Sequence, residues 1–331
     1  MTRPGFCVIG AGSFGSALAI HLAKSGERVS LWGNKADALA AMARLRCNAA
    51  HLPGILFPEN LYIEPSLQTA LAEYNDIVVA VPSHVFYEVL LQIKPYLRAD
   101  HRLVWGSKGL DPRRGEFLQV VAKEVLGDIP MAIVSGPSFA KEVALGLPTA
   151  VVIAGNVKTV TDNLVRRFSS GQFRAYYSDD MIGVSLGGAM KNVLAIAVGI
   201  SDGVGFGANA RSALMTRGLA EIVRLGVACG AAPSTFLGLA GVGDLILTCT
   251  DEQSRNRRFG LALGRGSDKE SAQRAIGQAI EGIGTARLIV KLSVAHGVDV
   301  PITQQVCAAL QGTLSIQDAV EALFARELKA E

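Results

Sequence analysis

Lys191 stands in "GGAMKNVLAIAVGI", a run of small and apolar residues from Gly187 to Ile200 that is long enough for several helical turns. At helical spacing its neighbours are Gly187, Gly188, Leu194 and Ala195, and none is a carboxylate. An ammonium on such a face must reach water along its stem, find a partner distant in sequence, or carry chemistry. Three further stretches hold groups suited to binding a small anion. Lys108 closes an apolar run in "WGSKGL"; Gly136 and Ser138 follow another in "SGPSFAKEV", offering backbone and hydroxyl donors. In "GLAGVGDLILTCTDEQSRNRRFG", Asp244 lies between a glycine turn and an apolar run, and Ser254, Arg255 and Asn256 follow. A fork-shaped cation between two neutral hydrogen-bonding groups suits a phosphate. Each also has a plainer reading: Lys108 as a surface turn residue, Asp244 as a helix N-cap, and Arg255 to Arg258 as a solvated basic face.

"GAGSFG", from Gly10 to Gly15, is a GxGxxG with an apolar run before it, a helical pattern after it and a second apolar run some way on. That context makes it a dinucleotide-binding loop. Gly10 makes the tight turn, Gly12 lets the backbone approach a pyrophosphate, and Gly15 lets helix pack on strand. The helix amino terminus adds unpaired N–H groups and a partial positive charge. After the second strand, "LWGNK" offers Asn34 and Lys35 and no acid before Asp37. A carboxylate there would accept from the ribose 2′-hydroxyl of NAD, whereas an amide and an ammonium welcome a 2′-phosphate. NADP(H) is therefore favoured, with NAD(H) tolerated; the plainer reading of Lys35 is a solvated residue opening the next helix.

These groups need a scaffold. "GFCVIG", "RVSLWG", "DIVVAVPS", "HRLVWGSKG", "MAIVSGP" and "TAVVIAG" read as strands, most of them separated by helical patterns. Such alternation predicts an α/β, Rossmann-type, mostly parallel sheet covered on both faces. "SALAIHLAKSG" reads as a helix closed by Gly26, and Ser83 as the N-cap of the helix "SHVFYEVLLQIKPYL". After about Asp180 the strand signal gives way to helical periodicity broken by glycine turns. The expected division is a dinucleotide-binding domain over residues 1–183 and an all-α substrate and catalytic domain over 184–331, ending in the amphipathic helix "SIQDAVEALFARELKAE".

The rest of the composition narrows the classes. A net charge of +3 over 331 residues with scattered basic side chains argues against a nucleic-acid surface. Five widely spaced cysteines without a CxxC predict reduced thiols and a cytoplasmic protein. The histidines show no paired ligand spacing, so no metal site is expected, and no GxSxG elbow is present. The longest apolar stretches are interrupted by Lys, Asp or Pro, so no membrane span is expected.

With "GAGSFGSALA", "SKGL", "SGPSFAKEVA", "GAMKNVLAIAVGI", "GLAGVGDLILTCT", "SRNRRFG" and "EGIGTA" in order, the chain resembles the soluble, bacterial-type NAD(P)-dependent sn-glycerol-3-phosphate dehydrogenases along nearly its whole length. The resemblance implies interconversion of glycerol 3-phosphate and dihydroxyacetone phosphate, feeding phospholipid synthesis. It makes Lys191 the proton-transferring lysine, oriented by Asp244, with partial burial lowering its pKa towards neutrality. Lys108 becomes a second active-site lysine near cofactor and substrate. Gly136, Ser138, Asp244, Ser254, Arg255 and Asn256 match substrate-contacting positions, and Ser13, Phe14, Asn34, Ala140, Arg255, Ala279 and Glu281 match cofactor-contacting ones. A homodimer is expected from the apolar helical domain. Two other readings compete: another β-hydroxyacid dehydrogenase such as a ketopantoate reductase-like enzyme, and a non-catalytic dinucleotide sensor.

Overall fold

Eight strands form one sheet in the computed structural model, which describes residues 5–324. They are β1 (Phe6–Ile9), β2 (Val29–Trp32), β3 (Leu61–Ile63), β4 (Asp76–Val79), β5 (Arg102–Trp105), β6 (Met131–Ser135), β7 (Thr149–Gly155) and β8 (Phe173–Ser178). Their order is β3-β2-β1-β4-β5-β6-β7-β8, and every neighbouring pair is parallel except β6 with β7. The order runs outward from β1 in both directions. That creates a switch point between β1 and β4, and sheets of this kind bind ligands outside the carboxyl ends of the strands at such a point. β1 and β4 are buried along their whole length, as continuous apolar strands under two layers of helix must be. The expected fold class is the observed one.

Local differences have physical causes. The sequence reading passed over β3 and β8. β3 is only three residues with an exposed Tyr62, and β8 is an edge strand whose Arg174 and Tyr176 face outward. Neither carries the apolar run that marks a strand buried on both faces. Ser83 is not an N-cap. Pro82 occupies that position in extended conformation, so the helix Ser83–Ile93 begins on the serine, whose side chain makes no capping bond. Gly26 does close the helix Ser13–Lys24: at φ +94° it donates to Ala23 O while Glu27 N donates to Leu22 O.

The amino-terminal edge of the sheet is sealed by charge. Arg167 donates to both oxygens of Glu27 and to the buried Asp76, Arg102 also reaches Asp76, and the Arg167 guanidinium lies 4.1 Å from the centre of the Phe6 ring. This cluster is structural, because a parallel sheet binds ligands at its other edge.

The chain divides into two compact units, the first reaching Asp111 and resuming over Glu116–Met181, the second comprising Pro112–Gly115 and everything from Ile182. Among the described residues the second unit has helices and no strand. The closing helix spans Ile316–Phe324; its expected continuation over 325–331 lies outside the described residues. At the centre runs the helix Met181–Val204, buried without interruption from Gly183 to Ser201. This helix and the segment Pro233–Thr250 are long and apolar enough to cross a membrane by length and composition alone. The first lies inside the protein, with 94% of its apolar window buried.

Glycine lets that helix be approached at backbone distance. A Cβ on Gly260 would meet Ile196 O, one on Gly264 would meet Ile200 O, and one on Gly199 would meet Arg257 O. The helix Arg255–Gly264 therefore runs alongside the central helix in the same direction, at a constant offset that also pairs Asn192 with Asn256. On another face, Gly187 admits Ala240 O. Each seam advances in steps of four residues, one helical turn.

Glu221, on the helix Gly207–Ala228, is buried and accepts from Ile302 N at 2.5 Å, Thr303 N at 3.2 Å and Thr303 Oγ1 at 3.1 Å. It thus caps the first turn of the helix Pro301–Gln311. Burial pushes its carboxyl up to about 7 from 4.5, against the lowering effect of the bonds it accepts. The native state therefore holds this proton more tightly than the unfolded chain does. The resulting stabilisation, on the order of 3 kcal/mol, is complete below pH 4.5 and lost as pH rises through about 7. We expect the melting temperature of the wild type to fall relative to Glu221→Gln across that window. A constant difference between the two proteins from pH 4.5 to 8 would refute the assignment.

Candidate active site

In the first unit the glycine loop follows β1, at the carboxyl edge of the sheet. Gly10 N donates to Trp32 O at 2.8 Å, and its φ of +115° belongs to the region that glycine tolerates. A Cβ on Gly10 would lie 2.5 Å from Ala80 O, and one on Gly15 would strike Gly10 O. Gly12 differs: the space its Cβ would fill is open to at least 4 Å. Gly10 and Gly15 thus serve packing, while Gly12 leaves room for a ligand to approach the backbone. This cradle fits a dinucleotide pyrophosphate, and Ser13 begins the helix whose amino terminus points at it.

Phe14 lies across β5's exit, where a Cβ on Gly106 would come within 2.6 Å of its ring. Lys108 Nζ sits 5.9 Å from the centre of that ring and donates to Gly136 O at 3.4 Å. Ser138 Oγ donates to the same carbonyl at 2.9 Å. Lys108, Gly136 and Ser138 therefore converge on one carbonyl, and Lys108 is half-buried rather than a surface turn residue. Ala140 opens the helix Ala140–Leu145 just beyond. Asn34 and Lys35 are exposed after β2, with Lys35 at the N-cap of the helix Ala36–Leu45 and Asp37 in its first turn.

In the second unit Lys191 is buried on the central helix, and its Nζ donates to Asp244 Oδ1. The lysine has found a partner 53 residues away. Gly187 and Lys191 are one turn apart, as are Ala240 and Asp244, so the close approach at Gly187 sets the ion pair four residues on. A π-helical turn over Leu239–Gly243 feeds Asp244 into the helix Asp244–Thr250. Gly243 is the N-cap there, and Asp244 is the first helical residue. Thr248 Oγ1 donates to Asp244 O at 2.6 Å. Cys249, buried beside this pair, has its thiol pushed up to about 12 by burial and is no nucleophile.

Ser254 is the N-cap of the helix Arg255–Gly264, its Oγ accepting from Arg257 N at 3.2 Å. Arg255 is half-buried and donates to Gln278 Oε1 at 3.3 Å. The basic run is not one solvated face: Arg258 is exposed, whereas Arg257 is buried and donates to Asp202 Oδ2 at 2.7 Å. Asn256 Nδ2 donates to Asn192 Oδ1 at 3.0 Å, Asn256 Oδ1 accepts from Gly282 N at 3.0 Å, and Asn192 Nδ2 donates to Glu281 Oε2 at 3.2 Å. This chain of amides ties Lys191's neighbour to Asn256 and to Glu281, which opens the helix Glu281–Ala295. Ala279 is exposed two residues before. Sequence reasoning gave Asn192 no role; its one signal was an uncharged polar group beside the lysine in an otherwise apolar run. Among the described residues no group of three or more His, Cys, Asp or Glu side chains converges on a metal position.

Two family models cover most of the chain: NAD-dependent glycerol-3-phosphate dehydrogenase N-terminus over residues 5–161 and C-terminus over residues 180–321. A curated glycerol-3-phosphate dehydrogenase [NAD(P)+] of Shigella boydii serotype 18 is 54% identical over 98% of this chain and 96% of its own length. The crystal structure of glycerol-3-phosphate dehydrogenase from Coxiella burnetii superposes with a TM-score of 0.94 at 47% identity, covering 98% of this chain and 99% of that one. A ketopantoate reductase of Ralstonia eutropha JMP134, by contrast, reaches 0.60 at 17% identity over 96% and 100% of the two chains, a likeness of fold alone. Full-length similarity at these levels, on a chain that keeps a glycine loop, two lysines and an aspartate in defined settings, has one meaning. The chain belongs to the NAD-dependent glycerol-3-phosphate dehydrogenase family.

Proposed function

We propose that this protein interconverts sn-glycerol 3-phosphate and dihydroxyacetone phosphate with NAD(P), and so supplies glycerol 3-phosphate for phospholipid synthesis. One observation carries the mechanism: a buried lysine, held by a buried aspartate, shares a hydrogen-bonded framework with a helix amino terminus bearing Ser254, Arg255 and Asn256. A bound nicotinamide dinucleotide would supply the hydride acceptor, or in the other direction the hydride donor, for substrate C2. Lys191 Nζ removes the proton from the C2 hydroxyl in one direction and delivers it to the ketone oxygen in the other. Asp244 orients the ammonium.

The substrate phosphate belongs at the amino terminus of Arg255–Gly264. The N–H groups of Arg255 and Asn256 have no acceptor within the helix, Ser254 keeps its O–H to donate, and Arg255 adds a forked cation. Asn256 spends one amide hydrogen on Asn192 and retains the other. In the first unit, Lys108, Gly136 and Ser138 complete the substrate contacts; Gly10, Gly12, Ser13, Phe14, Gly15, Asn34, Lys35 and Ala140 hold the dinucleotide, with Lys108, Arg255, Ala279 and Glu281 contributing. The division of labour follows the expected domains, residues 1–183 for the dinucleotide and 184–331 for substrate and catalysis. The setting is the cytosol, where the five free thiols stay reduced. The enzyme works as a homodimer; the exposed Val227, Leu237 and Ile246 supply apolar surface for it, and sedimentation at the mass of a single 34.8 kDa chain would exclude it.

Four substitutions test the substrate chemistry. Lys191→Met takes the countercharge away from the buried Asp244 carboxylate, at a cost of roughly 3–5 kcal/mol. The double variant Lys191→Met/Asp244→Asn removes that charge and should regain much of the stability. Turnover at saturating substrates should nevertheless stay down by roughly 10²–10⁴-fold in both. Near-normal turnover in the double variant would overturn the role of Lys191. Lys108→Met should lose more of its activity in binding. Arg255→Ala should cost on the order of 2 kcal/mol in binding of dihydroxyacetone phosphate. Unphosphorylated dihydroxyacetone, already a poor substrate, should hardly change; equal losses for both ketones would move the phosphate elsewhere.

Cofactor choice is a separate matter. With Asn34 and Lys35 exposed after β2 and no carboxylate before Asp37, NADPH should be used at least as well as NADH. Asn34→Asp should shift the ratio of kcat/KM values towards NADH by repelling the 2′-phosphate. A wild-type enzyme strongly selective for NADH would contradict this reading of the loop.

A further inference from the structure

Between the helix Ala36–Leu45 and β3, the chain makes a loop that belongs to none of the motifs above. It opens on Arg46, which at φ +51° is the only non-glycine residue with positive φ among the described residues. Arg46 O accepts from Phe57 N at 2.7 Å, while its guanidinium donates to Leu61 O at 2.8 Å and Pro58 O at 2.5 Å. Residues 46–57 thereby close on themselves around buried Leu52, Ile55 and Phe57. Inside the loop, Asn48 O accepts from Leu52 N at 2.8 Å. The Asn48 side chain, only 1% exposed, donates from Nδ2 to Ala11 O at 3.0 Å and to Ser16 Oγ at 2.8 Å. Its Oδ1 is buried and has no hydrogen-bond partner.

Ala11 O and Gly12 N–H belong to one planar trans peptide, so they point in opposite directions. Anchoring the carbonyl on Asn48 aims the Gly12 N–H away from the loop and towards the open space over Gly12. The same amide holds Ser16, whose N–H donates to Gly12 O at 3.0 Å, so both sides of Gly12 are fixed. A buried acceptor left unpaired is a cost that a well-packed apolar residue would not carry. The left-handed arginine adds backbone strain to the same device. Both costs make sense if the two donated bonds have work to do.

We propose that Asn48 is a positioning residue for the dinucleotide: it preorganises the glycine loop so that the Gly12 N–H meets the pyrophosphate without a loss of loop freedom on binding. The proposal rests on the reading that the loop from Gly10 to Gly15 receives the pyrophosphate. It predicts a loss common to NADPH and NADH, because both share that group, and no change in substrate affinity.

The test uses the purified full-length chain and measures dissociation constants of NADPH and NADH by calorimetry, beside steady-state kinetics and thermal unfolding. Asn48→Ala and Asn48→Asp, the second replacing a donor by an acceptor opposite the Ala11 carbonyl, should weaken both dinucleotides alike by about tenfold or more. KM for dihydroxyacetone phosphate and kcat at saturating dinucleotide should stay within about twofold of wild type. Ile55→Val, a packing loss in the same loop, should lower the melting temperature and leave both dissociation constants unchanged. Gly12→Val fills the open space and should abolish dinucleotide binding. If Gly12→Val binds normally, the reading of the glycine loop fails. If Gly12→Val loses binding while the folded Asn48 variants bind as wild type does, the proposal fails. It also fails if the loss spreads equally into kcat and substrate KM, if Ile55→Val weakens binding as much, or if neither Asn48 variant folds.

Discussion

A charged lysine buried in an apolar helix is tolerable only against a countercharge that is equally enclosed, and the second unit is arranged around that requirement. Lys191 sits mid-way along a helix with no local carboxylate, so Asp244 must come from elsewhere at contact distance. Two side chains of ordinary size between the backbones would hold it off. Gly187 removes one of them, Ala240 brings its carbonyl into the space, and the π-helical turn that follows delivers Asp244 one turn further along. The ion pair and the seam are one construction: enlarging Gly187 would move the carboxylate.

The same device is repeated on the neighbouring face. Gly199, Gly260 and Gly264 let the helix Arg255–Gly264 lie against the central helix, and the shared register brings Asn256 onto Asn192. Lys191 and the amino terminus of the helix Arg255–Gly264 are therefore positioned by backbone contact, which is stiffer than contact through side chains. Helical glycine is costly in propensity. Here the close packing and the polar bonds it permits offset that cost.

Much of this was legible in the sequence, and the rest was hidden for identifiable reasons. The glycine loop was readable because its three glycines do different things, and Gly10, Gly12 and Gly15 have different surroundings in the structure. The buried strands were readable as apolar runs, whereas β3 and β8 were not, one being too short and the other half solvated. Lys191 was conspicuous as a charge without a local partner, yet its partner's identity depends on which helix faces meet, and no single-sequence pattern encodes that. Arg257 looked like Arg255 and Arg258 in a basic run; only its helical phase sends it inward to Asp202. Asn48 was invisible because its role lies in the direction of one backbone carbonyl.

The one antiparallel junction in the sheet makes its two edges chemically unequal. β7 runs against β6, with Gly155 beside Ala132, so the turn after β7 emerges at the edge opposite the glycine loop, Lys108 and Gly136. Asn156 fastens that turn by exchanging hydrogen bonds with Met131, and Val157 to Thr159 stand exposed beyond it. A fluorophore, a surface tether or a short inserted peptide at Thr159 would occupy an edge with no part in the chemistry. The fold thus carries its own attachment point, on the far side of the sheet from the glycine loop, Lys108 and Gly136.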